Sequence, residues 1–384
     1  MKICFFPHYS FSNRDGATLS MYNIIDELLN RGIEVVVVLP NKHYLEERLS
    51  DSRIDFVYVS MYSMRMPIDR MTITSRLKFE IKYLHNQLCV SKIVNLLKEK
   101  NIDYIHINGL DSSVGAKVAR KLQIPYVWHI RAFIKEDLGK KLCHQKETYK
   151  LAKQANAVIG ISKAIKETFE REFERPIEVV YNGIPQELYD IPNHEILKGE
   201  TIKLLLAGRI SIQKGQMIAI KAMEKLRDEG IDDIHLTLIG QRETKEHLNQ
   251  IMEYIARNHL EKIVEVKEHV EDLSDIRKAS DIGLTCSQRE AFGRVTVENM
   301  MSGLLVIGAN NGGTAEIITD GVDGFLYQTD DAKCLADAIK RAISNIETTR
   351  TIAQNGYKHS IEKYSIKRVV DEIVSIYEFI KLGK

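Results

Sequence analysis

The sequence predicts an α/β protein that consists of two Rossmann-like, doubly wound domains facing each other across a cleft. Three observations predict it: a length of 384 residues, short apolar runs that alternate with longer amphipathic segments, and a turn-rich break near the middle of the chain. A chain of this length suits two domains of about 150–200 residues each. Alternating strands and helices imply mostly parallel sheets covered on both faces, with ligands beyond the carboxyl ends of the strands.

The first half contains seven candidate strands separated by helical patterns. These strands are Ile3–Phe6, Glu34–Leu39, Phe56–Val59, Tyr104–Ile107, Tyr126–His129, Ala157–Gly160 and Glu178–Val180. Two clusters of turn-forming residues follow, Tyr181–Pro185 and Ile191–Asn193. We therefore predict a first domain over residues 1–185.

The strand and helix pattern then starts again. The candidate strands of the second half are Lys203–Ala207, His235–Ile239, Val264–Val266, Ile282–Thr285, Leu304–Ile307 and Phe325–Tyr327. The final part of the chain shows helical patterns without strands. We predict a second domain over residues 200–364 and a C-terminal helix over residues 365–384 that packs back on the first domain.

Composition excludes several classes of protein. A net charge of +1 gives no electrostatic reason to expect nucleic acid as a partner, and 44% hydrophobic residues are ordinary for a globular protein. The five cysteines lack metal-ligand spacing, so we interpret them as reduced thiols. The N-terminus begins with a strand rather than a signal peptide, and no apolar run reaches the ~18 residues of a membrane span. We therefore expect a cytoplasmic protein.

The segment from Ser287 to Glu298 is the strongest functional signal. It follows a buried strand, contains Phe292 and Gly293, and opens a helix. Gly293 permits close approach of backbone to a ligand, and N–H groups at a helix start suit a negatively charged one. Glu290 and Glu298, about 12 Å apart along a helix axis, would contact a sugar and a ribose at the two ends of a diphosphate. The alternative is a capping carboxylate and a surface residue.

The loop Gly208–Gly215, after the first strand of the second half, is the second signal. Arg209 offers a planar guanidinium for phosphate, and Lys214 offers a mobile ammonium group. Both would neutralise a departing diphosphate. The alternative is two solvated basic residues, but their position at the carboxyl end of a strand favours the functional interpretation.

The first half carries weaker signals. The loop Asn13–Ala17 contains a single glycine, Gly16, which either lines the cleft or only makes the turn. Three histidines, His8, His106 and His129, lie at strand ends. His129 would form a hydrogen bond with a sugar hydroxyl, although a histidine at a strand end is also commonly a packed core residue.

Taken together, Arg209 and Lys214, followed by Glu290, Phe292–Gly293 and Glu298, resemble the family-four retaining glycosyltransferases of the GT-B fold. The similarity covers nearly the whole chain. Further matching pieces are Ile161-Ser162-Lys163, Asn182-Gly183, Gly312-Gly313 with Glu316, and Asp320-Gly321 with Asp323-Gly324-Phe325. Several motifs in the same order are far more specific than any one of them alone.

The resemblance implies that the first domain, residues 1–185, binds the acceptor and that the second, residues 200–364, binds the nucleotide-sugar donor. It also implies a role for each matched residue. Arg209 and Lys214 would clamp the diphosphate, and Glu290 would lie beside the donor sugar. Glu298 would bind the ribose, and His129 would lie near the sugar. The donor-binding positions that it implies are Gly16, Gly208, Val270, Phe292, Gly293, Arg294 and Glu298.

Two places depart from the family pattern. The sequence Asp15-Gly16-Ala17 stands where paired glycines are common in the family, which leaves the acceptor open. The sequence Glu268-His269-Val270 stands where the family often has a glycine near the nucleobase pocket. The donor is therefore expected to be UDP- or GDP-linked, without a choice between them.

The resemblance also implies front-face substitution with retention of configuration. In that mechanism the leaving phosphate oxygen accepts the proton of the acceptor while the basic residues stabilise the developing charge. No Asp-x-Asp motif lies in a suitable loop, so we expect neither a metal nor another cofactor. Two alternatives are a sugar-nucleotide epimerase of the same fold and a non-catalytic partner subunit of another transferase. A nicotinamide dehydrogenase is disfavoured, because no G-x-G-x-x-G follows the first strand.

The segment Met61–Lys100 predicts contact with an anionic membrane surface. Residues 1–190 carry 28 Lys and Arg against 23 Asp and Glu, whereas residues 191–384 carry 26 against 30. Such a segment suits peripheral attachment at the inner face of a membrane and a glycan or lipid-linked acceptor for a bacterial surface polysaccharide. The alternative is an ordinary helix with a solvated face. The side chains that suggest the contact are Met61, Met64, Met66, Met71, Arg65, Arg70, Arg76, Lys78 and Lys82.

Overall fold

The computed structural model describes residues 1–9, 15–40, 51–68, 72–135, 139–191 and 194–383. The chain divides into two compact units, one made of Met1–Gly183 with Ile366–Lys384 and the other of Ile184–Ser365. The boundary that we predicted at residue 185 lies close to this division. In the second predicted turn cluster, Pro192 and Asn193 lie outside the described residues.

The first unit contains nine strands in the described ranges. They are β1 (Lys2–Phe6), β2 (Glu34–Leu39), β3 (Ile54–Tyr58), β4 (Arg65–Pro67), β5 (Tyr104–Asn108), β6 (Tyr126–Ile130), β7 (Lys140–Leu142), β8 (Ala157–Gly160) and β9 (Glu178–Val179). Seven form one parallel sheet in the order β3-β2-β1-β5-β6-β8-β9. The other two, β4 and β7, pair antiparallel. The sequence pattern missed both because three residues give no periodicity.

Helices cover the first sheet. They are α1 (Gly16–Asn30), α2 (Ile73–Leu97), α3 (Val114–Leu122), α4 (Gln145–Lys153), α5 (Lys163–Phe173) and the C-terminal α13 (Ile366–Lys381). The predicted loop extended to Ala17, but α1 begins at Gly16 because the carboxylate of Asp15 accepts hydrogen bonds from the backbone N–H groups of Ala17 and Thr18. The apolar face of α13 lies in the same buried cluster as α1 and strands β1 and β2.

The second unit contains one six-stranded sheet. Its strands are β10 (Ile202–Ala207), β11 (Ile234–Ile239), β12 (Val264–Lys267), β13 (Ile282–Thr285), β14 (Leu305–Ala309) and β15 (Phe325–Tyr327), in the parallel order β12-β11-β10-β13-β14-β15. Its helices are α6 (Gln216–Asp228), α7 (Lys245–Arg257), α8 (Ser274–Lys278), α9 (Arg294–Met301), α10 (Gly312–Ile317), α11 (Ala332–Ser344) and α12 (Ile346–Tyr364).

Each sheet has a point where the strand order reverses, and ligands bind at such points in doubly wound folds. In the first sheet this point lies between β1 and β5, and in the second it lies between β10 and β13. The prediction of an α/β chain with two Rossmann-like units is confirmed. The two strongest sequence signals follow β10 and β13, so the fold brings them to one switch point.

The described part of the chain holds no helix long and apolar enough to cross a bilayer. All five cysteines, Cys4, Cys89, Cys143, Cys286 and Cys334, are free thiols. Burial raises the pKa of the Cys286 thiol to about 12. A buried, protonated thiol of this kind is a packing residue rather than a nucleophile.

Candidate functional site

The loop after β10 presents two basic side chains at the switch point of the second sheet. Gly208 has a φ of +145°, and nothing lies within 4 Å of the position that a Cβ would take, so the space beside this backbone is open. Arg209 is about half exposed, and its Nη1 lies 3.6 Å from Oε1 of Glu243. A long, exposed ion pair of this kind contributes little. A phosphate can therefore compete for the guanidinium of Arg209.

A glycine allows this loop to cross the end of β13. Gly215 has a φ of +71°, and a Cβ there would lie 2.0 Å from the carbonyl oxygen of Cys286. Only glycine fits so close to backbone at a positive φ. The crossing is fixed further by Gln288, whose N–H donates to the carbonyl of Gln213 at 2.9 Å. The two loops therefore lie side by side.

Their contact places Lys214 against Glu290. The Nζ of Lys214 lies 2.5 Å from Oε1 of Glu290, and the Ser287 hydroxyl donates to the same oxygen at 2.5 Å. The lysine side chain is 30% exposed and the glutamate side chain 16% exposed. Glu290 is thus oriented by two donors and its charge is balanced by Lys214. Residues 76 positions apart in sequence form one charged pair at the strand ends.

The helix that follows, α9, begins at an uncapped end. Its N-cap is Gly293, with a φ of +97°, no side-chain cap and no acidic residue in the first turn. N–H groups at such an end, with the positive end of the helix dipole, favour an anion. Gly312 and Gly313 hold the preceding loop close, since a Cβ on either would lie 2.3 or 2.2 Å from the carbonyl oxygens of Glu290 and Phe292. Phe292 itself is buried.

Glu298 lies about one turn into α9, and Glu290 precedes the helix, so the two carboxylates do not lie along one helix axis. The expected 12 Å separation along a helix axis is therefore wrong as a measure of their distance. Glu298 is 7% exposed and accepts from two arginines, Arg277 at 2.7 Å and Arg294 at 2.6 Å. Each carboxylate oxygen keeps a second lone pair that a ribose hydroxyl can use. Glu298 is therefore not a surface residue, which was the alternative interpretation of the sequence.

Of the two partners of Glu298, Arg294 was among the predicted donor-binding positions, whereas Arg277 was not predicted. Arg277 comes from the short helix α8, and its guanidinium lies 4.9 Å from the ring centre of Tyr189. Burial alone would lower the pKa of Arg294, but the charge of Glu298 raises it above its ordinary value. Burial and the same carboxylate raise the pKa of Tyr189. Two arginines around one glutamate leave a buried excess of positive charge, which suits an anionic ligand. No sequence pattern marks Arg277 or Tyr189.

Val270 lies at a different part of the second sheet. It follows β12, the edge strand two positions away from β10, and it is 38% exposed. Its neighbour Glu268 pairs with Arg242 at 3.0 Å. The structure therefore places Val270 on an exposed loop beyond the edge strand. Its assignment to the nucleobase pocket stays a prediction.

In the first unit, His129 lies in a buried chain of hydrogen bonds. Its Nδ1 is 3.1 Å from Nε2 of His106, whose Nδ1 is 2.6 Å from the hydroxyl of Tyr377 on α13. Burial, with Arg131 nearby, lowers the pKa of His106 to about 3 and holds the pKa of His129 well below its ordinary value. Both imidazoles are neutral at pH 7. The Nε2 of His129 has no hydrogen-bond partner within the described part of the chain.

A second polar network follows β1, β5 and β6 at the switch point of the first sheet. His8 has two partners in this network. Its Nε2 lies 3.0 Å from Oδ1 of Asp15, and its Nδ1 lies 3.2 Å from the side-chain Nδ2 of Asn108. Asn108 accepts a hydrogen bond from Nε of Arg131 at 2.6 Å. Gly16 is the exposed first residue of α1, next to Asp15. Asn13 and Arg14, the start of the predicted loop, lie outside the described residues.

The membrane prediction rested partly on side chains that do not face solvent. Met61 and Met64 are buried. Arg65 donates to the carbonyl oxygen of Tyr9 and lies 3.6 Å from a carboxylate oxygen of Asp111. These three assignments are wrong, because Arg65 starts β4 and its segment packs inward. Met66 is partly buried, and Arg70 and Met71 lie outside the described residues.

Potential metal ligands come together at one place in the described ranges. The side chains of Glu80, Cys143 and His144, all in the first unit, have ligand atoms within 4.8 Å of one another. His144 is also 3.0 Å from Glu80 and stacks on Tyr83. These residues are not among those at the switch point of the second sheet.

Comparisons with known proteins agree across the chain. Residues 14–188 match the family model described as Glycosyltransferase Family 4, and residues 190–359 match Glycosyl transferases group 1. An uncharacterized glycosyltransferase of Methanocaldococcus jannaschii is 29% identical over 308 residues, which cover 78% of this chain and 81% of that relative. The capsular polysaccharide biosynthesis glycosyltransferase CapM of Staphylococcus aureus is 26% identical over 236 residues, which cover 58% and 61%.

The fold has also been seen in solved structures. The crystal structure of Anabaena HepE in complex with UDP and glucose superimposes with a TM-score of 0.77 at 24% identity, covering 98% of each chain. At this identity the similarity concerns the fold, and it confirms the GT-B fold predicted from the sequence.

Proposed function

The chain belongs to the family-four, group 1 glycosyltransferases, and we propose that it is a retaining, metal-independent member that uses a UDP- or GDP-linked sugar. The observation that carries this proposal is the 2.5 Å contact between Lys214 and Glu290 at the switch point of the second sheet. It joins a cation for phosphate to a carboxylate for a sugar, beside the uncapped start of α9. Such a combination suits a sugar diphosphate better than either residue alone.

The donor lies across the ends of β10 and β13 in this proposal. Arg209 and Lys214 bind the diphosphate, and the open backbone at Gly208 lets phosphate oxygens come close. The ribose hydroxyls donate to Glu298, which Arg277 and Arg294 hold in place. Because these contacts form with the bound donor and persist through the reaction, Glu298 contributes chiefly to donor affinity.

The chemical step breaks the bond between the anomeric carbon and the diphosphate oxygen. The acceptor hydroxyl oxygen forms the new bond on the same face, and its proton passes to the departing diphosphate oxygen. Negative charge grows on that oxygen, and Arg209 and Lys214 stabilise it. Glu290 lies beside the sugar, held by Lys214 and Ser287, and favours the positive charge that develops on the ring. No metal takes part, since the two cations supply the positive charge.

His129 acts as a neutral hydrogen-bond partner of a sugar hydroxyl. Its low pKa rules out a role as a cationic acid near pH 7. Its Nε2 has no partner in the described structure, and a buried ring nitrogen without a partner costs free energy that a ligand hydroxyl would recover.

The acceptor is a glycan or a lipid-linked glycan of a surface polysaccharide, at the cytoplasmic face of a membrane. The name of the relative CapM, a capsular polysaccharide biosynthesis glycosyltransferase, supports the pathway class. The basic first half of the chain supports an anionic membrane surface as a partner. Nucleic acid is not a partner in this proposal.

The experiment is a thermal-shift screen of UDP- and GDP-linked sugars without added metal. A ligand at 100 times its Kd stabilises the folded protein by roughly 2.7 kcal/mol, so the true donor stands out. The hit is then incubated with candidate acceptors, and the anomeric configuration of the product is read by NMR. Stabilisation by no nucleotide sugar, or a product of inverted configuration, would contradict the proposal. Conversion of the donor alone into an epimer would favour the epimerase.

A further inference from the structure

The long helix α2 has two opposite apolar faces. One face is buried against the first unit and includes Asn86, Cys89, Val90, Ile93 and Leu97. The other face is exposed to solvent. It consists of Ile73, Leu77, Ile81, Leu84 and Leu88, which are exposed by 86, 61, 60, 61 and 77%.

These five residues, called the α2 stripe below, form a continuous row. Their spacings of four, four, three and four residues keep them on one side of a helix with about 100° per residue. The same arithmetic places the row opposite the buried face. Single exposed apolar residues are ordinary on a protein surface, but five in a row along one helix mark an interaction site.

Basic side chains flank the α2 stripe. Arg76, Lys78 and Lys92 are exposed on the same helix, and none has a carboxylate partner in the ranges that the structure describes. Glu80 is the acidic residue of the helix, and it pairs with His144 at 3.0 Å. An apolar row with unpaired cations beside it suits the interface of a membrane, where an apolar interior lies beneath anionic headgroups.

We propose that the α2 stripe inserts into the interface of a membrane containing anionic lipid, with Arg76, Lys78 and Lys92 at the lipid headgroups. This inference rests on the proposed function, whose lipid-linked acceptor it would bring to the enzyme. A second copy of the chain fits less well. A two-fold contact would bring the basic residues of both copies together, and five side chains fall short of the roughly 20–30 residues per side of a standard interface.

The buried side of α2 contacts a residue that lines a small pocket, open to solvent, in the first unit. Asn86 of α2 accepts from the N–H of Tyr62 at 2.9 Å and donates to its carbonyl at 2.8 Å. Tyr62 lines the pocket with apolar residues that include Phe6, Met61 and Ile107, near the ends of β1 and β5. The helix that would meet the membrane therefore also holds the wall of an apolar pocket at the switch point.

The test is sedimentation with vesicles of equal parts phosphatidylglycerol and phosphatidylcholine. Wild type is compared with the triple variant Leu77→Gln, Leu84→Gln, Leu88→Gln and with Arg76→Gln, Lys78→Gln, Lys92→Gln. We expect the first variant to bind at least ~10-fold more weakly, because buried apolar groups contribute much of interfacial binding. Each basic residue near an anionic surface contributes about 5-fold, so the second variant should also bind more weakly and lose salt sensitivity.

A matched control removes exposed apolar side chains elsewhere. Met252→Gln, Val322→Gln and Ile346→Gln together change three exposed residues of the second unit and should leave vesicle binding unchanged. Thermal stabilisation of the stripe variant by UDP and by GDP is measured alongside, and with each nucleotide it should equal that of wild type. If no nucleotide stabilised the wild-type protein but vesicles still bound it, the proposed function would be wrong and the membrane assignment would stand. Equal vesicle binding by the stripe variant, or a wild-type dimer that it converts to a monomer, would overturn the membrane assignment.

Discussion

The two switch points of this protein are built from different chemistry. In the second unit, charged groups reach the surface: Arg209 is half exposed, and Lys214 and Glu290 are partly exposed. In the first unit, the histidines beside the switch point, His106 and His129, are fully buried and neutral, and the cation near them, Arg131, is buried as well. Both sheets have the same doubly wound plan, so the plan does not decide the chemistry.

Under the proposed function, the difference follows from what each site would bind. A diphosphate binds cations that it can reach, and those cations must be solvated or paired when the diphosphate is absent. A neutral hydroxyl needs a partner whose protonation state does not change, and burial of His129 provides that. The five predictions below test this contrast, from the largest expected effect to the smallest.

Removal of the buried carboxylate should have the largest effect. Glu298→Ala leaves Arg277 and Arg294 buried without their acid, so we expect a loss of about 3–5 kcal/mol in unfolding free energy, together with a raised KM for the donor. Urea titration and donor kinetics measure the two effects. The control Glu268→Ala removes an exposed acid that pairs with Arg242 and should cost under about 1 kcal/mol. A stable Glu298→Ala protein with unchanged KM would mean that the cluster is neither structural nor a ribose site.

Removal of either exposed cation should slow the reaction without unfolding the protein. Arg209→Ala and Lys214→Ala should each lower turnover by ~100-fold or more, through loss of charge stabilisation at the leaving diphosphate. Steady-state kinetics and circular dichroism are the measurements. Arg341→Ala, which removes another exposed arginine of the same unit, paired with Asp320, should keep wild-type turnover. Near-normal transfer by both site variants would refute the clamp.

Glu290 should differ from Glu298 in kind. Glu290→Ala removes the carboxylate that we propose lies beside the sugar, where charge changes during the reaction. We therefore expect kcat to fall by ~10-fold or more while KM changes little. Its loss also frees Lys214 to pair with phosphate alone. A raised KM with unchanged kcat would show that the roles of the two glutamates are reversed.

The buried histidines should make stability depend on pH. Because burial lowers the pKa of His129 and His106, the unfolded chain takes up protons below its ordinary histidine pKa while the folded chain does not. Their stabilisation is complete above about pH 6.5 and is lost as pH falls toward the folded pKa. His129→Gln should remove about 1 kcal/mol of the decrease between roughly pH 6.5 and 5.5. The exposed control His259→Asn should keep the wild-type dependence, and an unaltered dependence in His129→Gln would contradict the buried neutral state.

Chelation should have the smallest effect. If Arg209 and Lys214 replace a metal at the diphosphate, exhaustive EDTA treatment followed by gel filtration should leave turnover within about 2-fold of the untreated enzyme. Activity that disappears and returns only with magnesium or manganese would show that the second unit needs a charge that its own residues do not supply.

Much of the fold was predictable because parallel strands buried on both faces are nearly continuous apolar runs, as in Glu34–Leu39. The antiparallel pair Arg65–Pro67 and Lys140–Leu142 was not, because pairing across 75 positions leaves no local signal. Predicted strand ends were displaced by one or two residues, as at Leu305–Ala309.

At the site, residues next to strand ends were recognisable, since a loop after a buried strand has a known place in the fold. Lys214 and Glu290 were selected in this way, and the structure places their side chains in contact, while their roles stay predictions. Arg277 was missed because it reaches Glu298 from a helix in the middle of the second unit. Met61 and Met64 were misassigned because composition does not say which way a side chain points.

The last helix has a consequence for biosynthesis. Helix α13 completes the core of the first unit, where the Tyr104 hydroxyl donates to the carbonyl of Tyr377 and the Tyr377 hydroxyl meets His106. The second unit is complete once Ser365 has left the ribosome, but the core of the first unit lacks α13 until that helix has followed. The first unit is therefore synthesised first but completed last. Until α13 is available, the apolar face of its sheet that α13 covers stays exposed. A stop codon after residue 365 would therefore remove part of the hydrophobic core of the first unit rather than a dispensable tail.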